Sequence, residues 1–160
     1  MNLQFSIADI RLIDAHFTLK PNFNFSAGKP VSINSSFDIQ SGINGKIVNV
    51  VLNVSSTDDN QPFTYRVSLL GRFQFKEIPT NKILDKIVHV NCAAILFPYM
   101  REFIADLTRR AGVPPFNLAP VNLVKAYNDK VATQQGKSNI EKRVVKKPTP
   151  LAADAATAKR

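Results

Sequence analysis

Two histidines and one cysteine are the residues of this chain best suited to metal or covalent chemistry near neutral pH. Histidines spaced HxH or HxxxH would aim two imidazoles at one metal, and a cysteine beside a base would supply a thiolate nucleophile. Neither pattern occurs. His16 falls in a strand-like segment and His89 in a helical one. Cys92 lies among Val90, Ala93, Ala94 and Ile95 with no basic neighbour, the setting of a buried, inert thiol. Asp58 and Asp59 are adjacent in a loop but lack the further oxygen ligands at fixed spacing that calcium requires. There is no P-loop, GxGxxG, GxSxG or CxxC. The sequence therefore offers no catalytic residue, no metal ligand set and no cofactor, and the enzyme classes are set aside.

Charge points elsewhere. The 160 residues carry a net charge of +9. Seven Lys or Arg lie from Gly136 onward against Glu141 and Asp154, so +5 of that excess sits in the last 25 residues. This stretch is polar, basic and Pro/Ala-rich, which predicts a disordered tail over 136–160 behind a folded domain over 1–135. Its KRVVKKP cluster is the one feature that suits phosphates, so a basic nucleic-acid-associated module is the alternative from a different functional class. No RNP-like strand with interleaved aromatics accompanies it. The N-terminus does not read as a secretory signal, because Asp9, Arg11 and Asp14 interrupt its apolar positions. No run approaches the roughly 18 consecutive apolar residues of a membrane helix. A single cysteine fits a reducing compartment, and a cytoplasmic location is the expectation.

The elements follow from periodicity. Apolar residues between Phe5 and Leu19 alternate but change phase between Ile7 and Ile10, as a long strand with a bulge would. Val31, Ile33, Phe37 and Ile39 predict a second strand, with a turn at SGING. A third spans Lys46–Ser55 and a fourth Phe63 to about Phe75, where Gly71 suggests another bulge. Short connections predict an antiparallel meander. After Pro79 the period becomes helical. Thr80 or Asn81 caps the helix, and Pro98 is expected to kink or restart it. Met100, Phe103, Ile104 and Leu107 form an apolar stripe. Asp106 can pair with Arg110, Gly112 can take the left-handed cap, and Pro114 and Pro115 forbid continuation. Asn122 caps a second helix bearing Leu123, Val124, Ala126, Tyr127 and Val131. The fold class is α+β: a four-stranded antiparallel sheet followed by two helices packed on it.

Between the helices lies VPPFNLAPVN, an apolar, proline-studded loop with no charge. Together with LFPYMRE upstream it resembles the SecB family of protein-export chaperones. The matching residues are Leu96-Phe97-Pro98-Tyr99, Arg101-Glu102, Gly112, Pro114, the run Asn117-Leu118-Ala119-Pro120-Val121-Asn122, and Tyr127. Two long strings of unusual composition at the right separation are a specific signal. Upstream the likeness is one of pattern, and it covers about residues 4–135 in all.

The resemblance implies an ATP-independent holdase, assembled as a dimer of dimers, that keeps unfolded preproteins export-competent for the SecA motor. It implies a client groove built from the inter-helix loop, the second helix and the sheet. On this sequence the groove residues would be Phe97, Tyr99 and Phe103 of the first helix, Pro114, Phe116, Leu118 and Val121 of the loop, and Leu123 and Tyr127 beyond it. Proline holds such a loop open without backbone partners, so its apolar side chains stay available without forming a sticky strand. Tyr65, Val67 and Leu69 occupy the strand face that the family uses near its subunit contacts. Ordinary core beneath the helices is the other reading of the same three residues, and the strand pattern alone does not choose.

Asp14 matches one carboxylate with which the family holds the basic tail of SecA. Thr18 and Arg66 stand where the family has glutamates, and like charge would slow and weaken that docking. The basic tail also replaces an acidic one. A chaperone dedicated to an antitoxin or another specific client is therefore the alternative within the same class.

Overall fold

The computed structural model describes residues 4–24 and 29–144, with side chains described as far as residue 135. The chain divides into two units, Met1–Tyr127 and Asn128–Arg160.

The first unit is built on four antiparallel strands: β1 Phe5–Leu19, β2 Ser36–Asn44, β3 Ile47–Ser56 and β4 Phe63–Phe75. Their order across the sheet is β1-β4-β3-β2. The expected simple meander holds only for β2 to β4. The chain after Leu19 leads to β2 at the far side of the sheet, and β4 later comes back to pair with β1, which leaves β1 and β2 as the edges. β2 begins at Ser36 rather than near Val31, and continues through the predicted turn to a two-residue connection at Gly45–Lys46, where Gly45 has φ 60°. The residues before Ser36 are held by side chains instead of a ladder, as described below.

The predicted phase change in β1 is a bulge between Ile7 and Asp9, and a second follows between Leu12 and Asp14. Gly71 is not a bulge. It pairs regularly with Ile10 and Val50. It is a glycine because a helix lies on it: a Cβ there would stand 2.7 Å from Leu96 Cδ2 and 2.7 Å from Phe73 Cε2.

One face of the sheet carries Val48, Val50, Leu52 and Val54 from β3, and Phe63, Tyr65, Val67, Leu69, Phe73 and Phe75 from β4, all buried. The first helix crosses this face as α1 Asn81–Lys86, a π-helical segment Ile87–Cys92, and α2 Ala93–Arg110. Pro98 lies within α2 and does not restart it; the irregularity is the π-helical segment upstream. As a whole, Asn81–Arg110 is long and apolar enough to cross a membrane by length and composition. Its apolar stripe (Val88, Cys92, Leu96, Met100, Ile104) is instead buried on the sheet. The stop signal forms as read. Gly112 has φ 79°, its N–H bonds to the Arg109 carbonyl at 3.1 Å, and the Val113 N–H reaches the Thr108 carbonyl at 3.2 Å, a Schellman cap. Asp106 accepts from Arg110 at 2.6 Å and Arg109 at 3.1 Å.

α3 runs Leu123–Val144. Asn122 caps it, its Oδ1 accepting the Lys125 N–H at 2.9 Å. In the second unit this helix continues past Gly136, so the predicted end of regular structure there is corrected for 136–144. The tail expected beyond it, from residue 145, lies outside the described residues.

Candidate functional site

The inter-helix loop is where apolar chemistry is left open. Val113–Phe116 turn back against the end of α2, and the Phe116 N–H is held by Thr108 Oγ1 at 2.9 Å. The Phe116 ring lies over β4, with ring centroids 5.9 Å from Phe63 and 6.3 Å from Tyr65. Leu118 drops into the core. Phe97 of α2, Phe116 and Val121 remain half-buried beside it, and with Ile33 and Phe37 across the gap they line a cleft of about 340 Å3. Asn34, Ser35, Ser36 and Asn117 supply its polar lining. By volume it has room for about two benzene-sized groups, taking ~150 Å3 for each.

Four predicted groove residues therefore converge: Phe97, Phe116, Leu118 and Val121. Leu118 contributes as a buried anchor and not as an exposed grip, since it is only 5% exposed and packs in the core. Tyr99 and Phe103 lie elsewhere. They line a second cleft of about 370 Å3 with Ile10, Leu69, Glu102, Asp106 and Arg109, on the β1 side of α2. The helix, seated closely at Gly71, separates the two. Pro114, Leu123 and Tyr127 line neither. Pro114 is exposed, Leu123 packs against the core, and the Tyr127 ring lies tilted against His89 with centroids 5.8 Å apart. Burial and then the Asp85 carboxylate raise the Tyr127 phenol above its usual range.

Sequence reasoning missed Ile33, Phe37 and the polar residues between them. They precede or open an edge strand, and nothing in their local pattern says that the far loop will face them.

The interface assignment is corrected. Tyr65, Val67 and Leu69 are 2%, 0% and 4% exposed within one chain, because β4 is an inner strand and this face lies under the helix and loop. No surface remains on them for a symmetric copy. Among the described residues the open apolar side chains include Ile7, Leu12 and Ile13 along the β1 edge, at 47%, 45% and 51%, with Tyr99 at 49%, while Ile43 on the β2 edge and Val124 of α3 are open at 53% and 49%.

On the opposite face of the sheet, Asp14 is engaged twice. Its Oδ2 accepts from Arg66 Nε at 3.1 Å, and its Oδ1 lies 3.1 Å from His16 Nε2. Arg66 thus occupies the carboxylate beside it. Cys92 is fully buried, and burial pushes its thiol up to about 12. A thiol so held stays protonated and unreactive at neutral pH.

The family model described as "Preprotein translocase subunit SecB" matches residues 7–134. The protein-export protein SecB of Methylobacillus flagellatus is 37% identical over 106 residues, 66% of each chain. That of Paraburkholderia xenovorans is 37% identical over 82 residues, 51% of this chain and 52% of the relative. The matches thus span about half to two thirds of these relatives. Among solved structures, a SecB-like chaperone of Mycobacterium tuberculosis, in complex with a peptide from an antitoxin, superposes with a TM-score of 0.60 at 19% identity, over 73% of this chain and 90% of that one. It shares the fold of four antiparallel strands and two helices. By the span of the family model and the identity of these relatives, this chain belongs to the SecB family.

Proposed function

We propose that this protein is an ATP-independent holdase that captures unfolded preproteins in the cleft between the inter-helix loop and the start of β2. Family membership supports the export setting, in which the client is kept competent for the SecA motor in the cytoplasm. The observation that carries the reading is the cleft itself: half-buried Phe97, Phe116 and Val121 left uncovered beside a polar rim. Such a surface suits polypeptides that still expose their apolar side chains. Binding the unfolded state alone draws clients away from aggregation by mass action and needs no nucleotide. The apolar strip of Ile7, Leu12, Ile13 and Tyr99 supports a homo-oligomer, with a dimer of dimers as the expected assembly.

The test is aggregation of insulin B chain, released by reduction and followed by light scattering without nucleotide. Stoichiometric protein is expected to suppress it, and Phe116→Asp to lose most of that effect. Unchanged scattering with the parent protein would sink the proposal.

The Asp14–Arg66–His16 cluster favours a second reading, a chaperone dedicated to a specific client such as an antitoxin. A carboxylate already paired with an arginine offers less to a basic SecA tail. The fold can hold a defined peptide, as its Mycobacterium tuberculosis neighbour holds one from an antitoxin. Pull-down of SecA at low and moderate salt separates the two readings: salt-sensitive capture favours export, and none at either favours the dedicated role.

A further inference from the structure

Much of both walls of the cleft is irregular chain, residues 33–35 on one side and 116–121 on the other, and irregular chain on a surface is ordinarily mobile. Here each wall is tied to a polar side chain that is itself fully buried. On the loop side the anchor is Thr108, 0% exposed. Its hydroxyl donates within α2, to the Ala105 carbonyl at 2.9 Å, and accepts the Phe116 N–H at 2.9 Å. On the other side the anchor is Gln61, 1% exposed. Its Oε1 accepts the Asn34 N–H at 2.7 Å, and its Nε2 donates to Ser56 Oγ at 2.8 Å. The Ser56 hydroxyl donates to the Asn34 carbonyl at 2.6 Å. This closes a ring that fixes both backbone groups of one wall residue.

Tyr65 joins the two sides. Its hydroxyl shares a 2.6 Å hydrogen bond with Ser35 Oγ on one wall, while its ring packs under Phe116 of the other. A strand that needed only an apolar side chain at this point would be served equally by phenylalanine. A buried phenol must find a partner, and this one finds it in the wall.

We infer that Tyr65, with Gln61 and Thr108 behind it, is a positioning residue that fixes the spacing of the two cleft walls before a client arrives. This deepens the proposed holdase function and rests on that reading. The physical consequence is pre-organisation: a wall already ordered loses little freedom on binding, so more of the contact energy appears as affinity.

The experiment uses the full chain and a fluorescently labelled, reduced and carboxymethylated lactalbumin as a permanently unfolded client. Tyr65→Phe removes one oxygen and leaves the ring. It is expected to speed amide hydrogen exchange at residues 33–36 and to weaken client binding about 5- to 10-fold, chiefly through faster release. Gln61→Met is expected to do the same. Ile87→Val, a core change away from this cleft with a comparable loss of stability, is expected to leave both readouts within 2-fold. Faster exchange in Tyr65→Phe with unchanged affinity overturns the positioning role. Unchanged exchange overturns the tie itself, whatever the client does. Failure of the parent protein to bind the client, with the exchange effect intact, instead overturns the holdase reading and with it the role assigned to the tie.

Discussion

The two clefts exist because α2 lies close enough to the sheet to divide it, and Gly71 sets that distance. Gly71→Ala tests this directly. The added methyl would meet Leu96 Cδ2 and Phe73 Cε2, each at 2.7 Å, well inside normal contact. Both contacts are ends of side chains, which at a surface would swing aside. Here Leu96 and Phe73 are fully buried, so they move only by displacing other core atoms. Overpacking of this kind costs about 1–3 kcal/mol. Replacing glycine returns about 0.4–1 kcal/mol by restricting the unfolded chain. The net expectation is a destabilisation of about 1–2 kcal/mol. Urea unfolding followed by circular dichroism measures it as a lower midpoint at unchanged slope.

The sharper assay is a double-mutant cycle with Leu96→Ala. That change alone leaves a cavity and costs about 2–5 kcal/mol. In the double variant the new methyl occupies space that the leucine vacated, so the combined loss is expected to fall short of the sum by about 1 kcal/mol or more. Losses that add within about 0.5 kcal/mol would refute the reasoning, because independent sites add to that accuracy. They would mean that Gly71 is not where helix and sheet meet.

Three further outcomes are expected. Cys92 should resist iodoacetamide at pH 8 in the folded protein and react once urea unfolds it. Its thiol ionises near 9 in ordinary surroundings but at about 12 in the fold, so its stabilisation is full below pH 9 and is lost as pH rises from 9 towards 12. Cys92→Ala should therefore flatten the decline between pH 9 and 11, by at most ~1.4 kcal/mol per pH unit. Asn122→Ala removes the side-chain acceptor of the Lys125 N–H and should cost about 1 kcal/mol, with faster amide exchange confined to the first turn of α3. If the proposed homo-oligomer forms through the open β1 edge, Leu12→Asp and Ile7→Asp should lower the sedimentation mass, whereas an unchanged mass would overturn that placement of the subunit contact.

Much of this protein was legible from residue order, for a physical reason. Strand alternation, the bulge in β1, the Gly112 cap, the Asp106–Arg110 pair and the Asn122 cap depend on neighbours a few residues apart, and the type and spacing of those neighbours decide them. The two motif strings carried the family in the same way. What tertiary structure alone decided depends on residues distant in the chain. Gly71 looked like a bulge because its reason, Leu96, lies on another element. Tyr65, Val67 and Leu69 fitted either face of a strand until the order β1-β4-β3-β2 put β4 in the middle of the sheet and a helix above it. Tyr99 and Phe103 share a helix with Phe97 but, two and six residues on, point to the other side of it, into a different cleft. The far wall at Ile33–Phe37, and the buried glutamine that holds it, follow from contacts that no local pattern encodes.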